Sequence, residues 1–124
     1  MFAMLVFIVG TTMGAGAQAN PHSVPIIDGE AGPCTAEMTV MDEAGKPVYG
    51  ATIRVHISHG FLSMRKTDLE IGTNVDGKAK FIGLPDNLNK TLYFRASKGN
   101  MKGAAFDNPK KYCHAEHSIV LHKR

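Results

Sequence analysis

Histidine and cysteine supply most of the reactive side chains in this sequence of 124 residues. Six histidines include His56 and His59 in "HISH", and His114 and His117 in "CHAEH". A zinc site needs three or four such ligands to converge. Residues three apart on a strand point to opposite faces, so neither pair chelates as a strand element. We therefore predict no metal and no cofactor, and keep as an alternative a metal site at His114 and His117 with Cys113.

No set of nucleophile and base in the sequence is supported by a known motif. We find no Ser/His/Asp arrangement with such support, no phosphate-binding glycine loop and no close pair of carboxylates. We therefore predict that the chain is not an enzyme, with no hydrolase or oxidoreductase activity of its own.

The first 19 residues have the composition of a signal peptide. An apolar run over residues 2–9 precedes Ala17-Gln18-Ala19, the small-x-small pattern of a cleavage site. The run is shorter than the roughly 20 residues that cross a bilayer, and an uncleaved anchor or a buried strand is the alternative. We predict an exported protein, periplasmic or extracellular, with no membrane span after cleavage. Residues 20–33 then form an extended arm or linker, and residues 34–124 form one domain.

The two cysteines, Cys34 and Cys113, are expected to pair in an exported protein, because an even count in that setting is typical of disulfides. Their separation is 113 − 34 = 79 residues, so the bond would close nearly the whole domain. Loop entropy puts such a closure at about 4 kcal/mol. Free thiols and a Cys/His metal site are the alternatives.

Charge is modest and dispersed along the chain. The formal net charge is +3 with neutral histidines, and the basic residues do not run together. Nucleic-acid-binding proteins usually concentrate basic residues on one face. We predict no nucleic-acid partner.

From Cys34 onward, apolar and polar residues alternate with the period of half-buried strands. Turn residues separate these short runs, and no stretch has the pattern of an amphipathic helix. The alternation predicts an all-β fold, an antiparallel sandwich or barrel. The least regular stretch, "HGFLSMRKTDLEIGTNV", is interpreted as a loop with a short strand. The predicted inward residues are Cys34, Ala36, Met38, Val40, Ile53, Val55, Ile57, Ala79, Phe81, Leu92, Phe94, Ala96, Ile119 and Leu121.

Three stretches together resemble the carboxypeptidase regulatory-like domain, a module of the prealbumin (transthyretin-like) class. They are "VMDEAGKPVYGATIRV", "TNVDGKAKFIGLP" and "LYFRASKG". The resemblance covers about residues 40–99 and departs from the family at the irregular stretch and the cysteine pair. The matching positions are Asp42, Gly45, Pro47, Gly50, Ala51, Thr73, Asp76, Gly77, Phe81, Leu84, Pro85 and Gly99.

The resemblance implies an antiparallel β-sandwich of about seven strands, of the prealbumin-like or immunoglobulin-like kind. It does not imply peptidase activity, because in carboxypeptidases this domain is an accessory to a separate catalytic domain. Two enzyme families have related sandwich folds. Hydroxyisourate hydrolases end in Tyr-Arg-Gly-Ser, which this chain lacks. Intradiol dioxygenases hold ferric iron with two tyrosines and two histidines. Tyr49, Tyr93, Tyr112 and the histidines supply those residue types, but the family's His-x-His motif is absent.

These points predict a non-catalytic exported module for protein interaction or structural support at the cell envelope. The expected partner is another exported or envelope protein. Carbohydrate binding is one alternative, with Tyr93 and Arg95 on an outward strand face as the candidate sugar face. A small metal-binding protein is the other.

We expect recognition to lie in the irregular stretch, because loops on rigid sandwiches often bind partners. The stretch mixes apolar and basic side chains, a composition that suits a protein contact. The alternative is that its apolar residues cap the core while its basic residues are solvated. The candidate recognition residues are His59, Phe61, Leu62, Met64, Arg65 and Lys66.

Overall fold

The computed structural model describes residues 20–59 and 65–123, which contain nine β-strands and no helix. Within these two ranges no helix is therefore long and apolar enough to cross a membrane. The predicted signal peptide lies outside the described residues. The strands are β1 (Ile26–Asp28), β2 (Cys34–Met41), β3 (Thr52–His59), β4 (Arg65–Gly72), β5 (Lys78–Leu84), β6 (Leu92–Lys98), β7 (Met101–Asp107), β8 (His114–Val120) and β9 (His122–Lys123).

The strands form two sheets, which confirms the predicted all-β sandwich. The four-stranded sheet has the order β1-β5-β2-β8, and the five-stranded sheet has the order β4-β3-β6-β7-β9. All pairs in the five-stranded sheet are antiparallel, whereas β1 pairs with β5 and β2 pairs with β8 in parallel. The stretch predicted as an arm thus contributes β1 to a sheet edge.

The core lies between the sheets and consists of the residues that the alternation predicted. All fourteen predicted inward residues are buried. Phe81 of β5 and Phe94 of β6 meet edge to face across the interior, with ring centroids 4.9 Å apart. The alternation of apolar and polar residues therefore determines which face of each strand packs inward.

The predicted disulfide between Cys34 and Cys113 is present. Cys34 opens β2 and is fully buried, and Cys113 immediately precedes β8 and packs against the core. Their Cα atoms lie 4.5 Å apart. The bond ties the start of β2 to the start of its parallel neighbour, at one end of the four-stranded sheet.

The irregular stretch differs from its prediction, because its second half is a full strand. β4 runs beside β3 through eight paired positions, from Thr52↔Gly72 to His59↔Arg65. Its sequence, "RKTDLEIG", alternates in burial, but only Leu69 and Ile71 of its inward residues are apolar, so the apolar period is short. Leu69 is the buried residue of this edge strand.

A buried carboxylate joins the two sheets at their β7–β8 edge. Asp107, which ends β7, is 1% exposed and accepts a hydrogen bond at Oδ1 from Nε2 of His117 on β8, 2.8 Å away. The two strands can approach closely because Gly103 of β7 has no side chain. A Cβ at this position would collide with the backbone oxygen of Val120. This link fixes the position of β7 in the sandwich.

Candidate functional site

The outer face of the five-stranded sheet brings together side chains from four strands. Along each strand, every second residue points outward. The register places Arg54 of β3 between Glu70 of β4 and Arg95 of β6, and Arg95 beside Ala104 of β7. Two residues further along each of these two strands, Tyr93 of β6 lies beside Phe106 of β7.

A cleft lies on this face over Ala104, and we call it the Ala104 cleft. It forms because a single methyl group stands between two long neighbours on β7, Lys102 and Phe106. Its volume is about 490 Å³, of the size that takes a small organic molecule. Its lining is Arg54, Tyr93, Arg95, Ala96, Ser97, Lys102, Gly103 and Ala104.

The cleft has an excess of positive charge. The Arg54 guanidinium donates from Nε to Oε1 of Glu70 at 2.7 Å, so that carboxylate offsets its charge. Within residues 20–59 and 65–123, Arg95 and Lys102 have no ion-pair partner. Arg54 and Arg95 are directly opposite, and like charges so placed repel. An anion bound between Arg95 and Lys102 would relieve this repulsion.

Two exposed aromatic rings stand at one side of the cleft. The centroids of Tyr93 and Phe106 are 4.8 Å apart with an interplanar angle of 31°. The residues are 46% and 63% exposed, although large aromatic side chains usually bury most of their surface. A flat aromatic ligand can stack here while its anionic group reaches Arg95.

The predicted sugar-face pair, Tyr93 and Arg95, is thus brought to one cleft, but with partners that the sequence did not indicate. Phe106 was not among the candidate residues, and Ala104 has no distinguishing chemistry. Only the β6–β7 register places them beside Tyr93 and Arg95. The alternation in "NMKGAAF", with Lys102 and Phe106 on one face, was the available signal.

The predicted recognition residues are only partly described. Phe61, Leu62 and Met64 lie outside the described residues, as does the side chain of His59. Arg65 and Lys66 open β4 and are exposed. They line a groove of about 450 Å³ with Thr67, Gly29 and the acidic residues Asp28 and Glu30. Recognition by this segment stays a prediction.

The alternative metal pair does not converge. His114 is exposed and its Nδ1 lies 3.1 Å from Oγ1 of Thr35, whereas His117 turns inward to Asp107. Cys113 is occupied by the disulfide. Among the described residues, no group of three or more His, Cys, Asp or Glu side chains is placed to hold a metal ion.

Solved structures with this fold are known, although no family model and no curated protein matches the chain. The catechol 1,2-dioxygenase of Acinetobacter radioresistens is 14% identical with a TM-score of 0.54, over 83% of this chain and 59% of that one. The hydroxyquinol 1,2-dioxygenase of Pseudomonas putida DLL-E4 is 11% identical, with a TM-score of 0.53, over 92% and 67%. The dioxygenase domain of a carbohydrate-binding fusion protein from Streptomyces sp. SirexAA-E is 13% identical, with a TM-score of 0.53, over 90% and 97%. This chain thus spans about three-fifths of the catechol enzyme.

These comparisons correct our functional predictions. We predicted a non-catalytic module for protein interaction or support, with sugar or metal binding as alternatives, and no enzyme activity. These predictions are wrong, because the structures that share the fold are catalytic dioxygenases. The error arose because turn motifs specify a sandwich and not whether it is accessory or catalytic. At 11–14% identity the likeness shows the fold, and activity must be argued from the site.

The residues present do not fit the ferric iron of two tyrosines and two histidines described above. Tyr49 lies before β3 beside Lys98, Tyr93 is on β6, and Tyr112 lies before β8 beside Lys111. The described histidine rings are likewise dispersed, each bonded to a different partner. Those partners are Asp76 for His22, Asp68 for His56, Thr35 for His114, Asp107 for His117 and Glu43 for His122. We derive no step through iron.

Proposed function

We propose that this chain is a dioxygenase-related domain that takes a small aromatic anion of the catechol class as its substrate, in the Ala104 cleft. One observation carries the proposal: Tyr93, whose exposed ring packs beside Phe106, lines the same cleft as Arg95, which has no ion-pair partner among the described residues. The names of the structural neighbours support the substrate class, since catechol and hydroxyquinol are small aromatic molecules with adjacent hydroxyl groups.

Each part of the cleft has a distinct role in this proposal. The Tyr93–Phe106 pair stacks on the ligand ring, and the planar guanidinium of Arg95 binds its anionic group through two parallel hydrogen bonds. Lys102 adds a second positive charge. Ala104 leaves the space that the ring needs.

We also propose that the protein is exported. The disulfide supports this location, since such bonds persist in oxidising compartments. An exported domain would meet its substrate outside the cytoplasm, and an envelope protein remains the proposed partner.

Calorimetric titration with protocatechuate, a catechol that carries a carboxylate, tests the proposal. We expect saturable one-to-one binding that weakens in Arg95→Gln. Absence of saturable binding, or equal affinity in Arg95→Gln, would contradict the assigned cleft.

A further inference from the structure

Asp68, His56 and Ser58 form a hydrogen-bonded chain on the outer face of the five-stranded sheet. His56 Nδ1 lies 2.6 Å from Oδ1 of Asp68, and His56 Nε2 lies 3.3 Å from Oγ of Ser58. The arrangement follows from the strands. His56 and Ser58 are two apart on β3 and share a face, and the register sets Asp68 of β4 opposite His56.

The acceptor and donor roles along this chain are determined by chemistry. An ionised carboxylate can only accept, so Nδ1 of His56 carries the proton that it donates to Asp68. In the neutral ring Nε2 is then an acceptor, and the Ser58 hydroxyl donates to it. This is the order in which a serine nucleophile is activated by a histidine base that a carboxylate orients. The 3.3 Å distance is long for such a bond, and bonds of this kind commonly shorten when substrate is bound.

Charged side chains of both signs surround the serine and the histidine. Lys66 of β4 is in register with Ser58, and Arg54, two residues before His56 on β3, is paired with Glu70. The Lys66 ammonium is the candidate group to stabilise the negative oxygen that forms on the acyl group when Ser58 attacks it.

Space for a substrate lies next to His56. A cleft of about 260 Å³ is bordered by Arg54, His56, Asp68, Glu70 and Arg95, together with Val55 and Leu69. Arg95 also borders the Ala104 cleft, so the two clefts are adjacent. Val55 of β3 pairs with Phe94 of β6 in antiparallel register, so the next residue of β3, His56, lies beside Tyr93 of β6.

We infer that this face has a serine-dependent esterase activity on aryl esters, with Ser58 as nucleophile, His56 as base and Asp68 as the residue that positions His56. Ser58 Oγ bonds to the acyl carbon and its proton passes to Nε2 of His56. The carbon–oxygen bond to the phenol breaks, and the phenol leaves with that proton. Water then adds to the acyl group, giving its proton through His56 to Ser58 Oγ as the carboxylic acid departs.

The choice of an aryl ester as substrate rests on the proposed function of the Ala104 cleft. The assignment of Ser58 as nucleophile is independent of that proposal. The phenol that leaves would be of the class that the Ala104 cleft binds. Hydrolysis would therefore supply the aromatic molecule to the adjacent site.

Covalent labelling of the oxidised protein with a fluorophosphonate, followed by peptide mass spectrometry, tests the nucleophile. We expect the adduct on Ser58, and loss of labelling in His56→Ala. Hydrolysis of para-nitrophenyl acetate should fall at least about 100-fold in Ser58→Ala, since a serine–histidine pair supplies rate factors of that order. An adduct at another residue, or unchanged hydrolysis in Ser58→Ala, would overturn the inference.

Matched variants separate chemistry from folding. Ser118→Ala removes an outward serine of β8, and His122→Ala removes another exposed histidine bonded to a carboxylate, so both should hydrolyse the ester normally. Asp68→Asn should slow hydrolysis about tenfold, and Asp68→Glu should recover part of it, which a purely structural role would not produce. Protocatechuate binding should persist in Ser58→Ala; if it is absent in the unmodified protein while Ser58 is labelled, the proposed function fails and the esterase inference stands.

Discussion

The outer faces of the two sheets differ in their balance of positive and negative side chains. On β2, β5 and β8, the outward charges are two lysines and two glutamates, and Lys80 lies in register with Glu37. On β6 and β7, the outward residues include Arg95 and Lys102 but no carboxylate. The four-stranded sheet therefore balances its surface, whereas the five-stranded sheet keeps an excess of positive charge beside exposed aromatic rings. This charge imbalance is one reason why we propose the outer face of the five-stranded sheet as the binding face.

The two sheets are joined by the hydrogen bond between His117 and Asp107. Removing this bond should have the largest effect on stability of the changes considered. In His117→Ala, the carboxylate of Asp107 stays buried without its partner, so we expect the free energy of unfolding to fall by about 3–5 kcal/mol. Urea denaturation measures this. His114→Ala, on the outward face of the same strand, should change stability by less than about 0.5 kcal/mol. Equal effects of the two variants would refute the inter-sheet role of His117.

Reversing one charge on each face sharpens the comparison between them. Arg95→Glu should weaken protocatechuate binding by about 10- to 100-fold, because a charge-assisted hydrogen bond of about 1.5–3 kcal/mol is lost and replaced by repulsion. Lys78→Glu, on the four-stranded sheet, should leave the affinity unchanged. Calorimetry of both variants decides, and a similar loss in Lys78→Glu would mean that net charge rather than the cleft controls binding.

Filling the Ala104 cleft should cost affinity without costing stability. In Ala104→Phe the ring occupies the space between Lys102 and Phe106, and we expect binding to weaken about tenfold. Phenylalanine is favoured in strands, so the melting temperature should not fall. Ala115→Phe is unsuitable as a control because that residue is partly buried; Ser118→Phe, outward on β8, is the matched change. Unaltered binding in Ala104→Phe would place the ligand elsewhere.

The smallest effect on ligand affinity is expected from changing Glu70, the carboxylate that pairs with Arg54. Glu70→Gln removes the carboxylate that bonds Arg54, so a second guanidinium becomes free to attract the ligand. We expect affinity to rise about two- to threefold, and stability to change by less than about 1 kcal/mol, since exposed ion pairs contribute little. Weaker binding in this variant would show that Glu70 positions Arg54 for the ligand.

The interior was predictable from sequence because burial imposes a period on each strand. The pairing of Cys34 with Cys113 was predicted from the even cysteine count, and the disulfide confirms it. The full length of β4 was missed because this edge strand turns only two apolar residues inward, Leu69 and Ile71, and its other side chains are mostly polar and exposed.

The candidate site was predictable only in part. Tyr93 and Arg95 were assigned to an outward face, but Phe106 and Ala104 enter the site through register between strands, which depends on turns and tertiary packing. The same holds for Asp68, which meets His56 only because β4 pairs with β3 along its whole length. His56 and Ser58, two apart on one strand, were the part of that chain visible in the sequence.

Chemical-shift mapping with protocatechuate tests the central claim, that the five-stranded sheet's outer face is the binding face. The amides of Arg95, Lys102, Ala104 and Phe106 should shift with a single saturation curve, while those of Glu37, Lys80 and Glu116 on the four-stranded sheet stay in place. Shifts confined to the four-stranded sheet, or no saturable shifts on β6 and β7, would contradict the account.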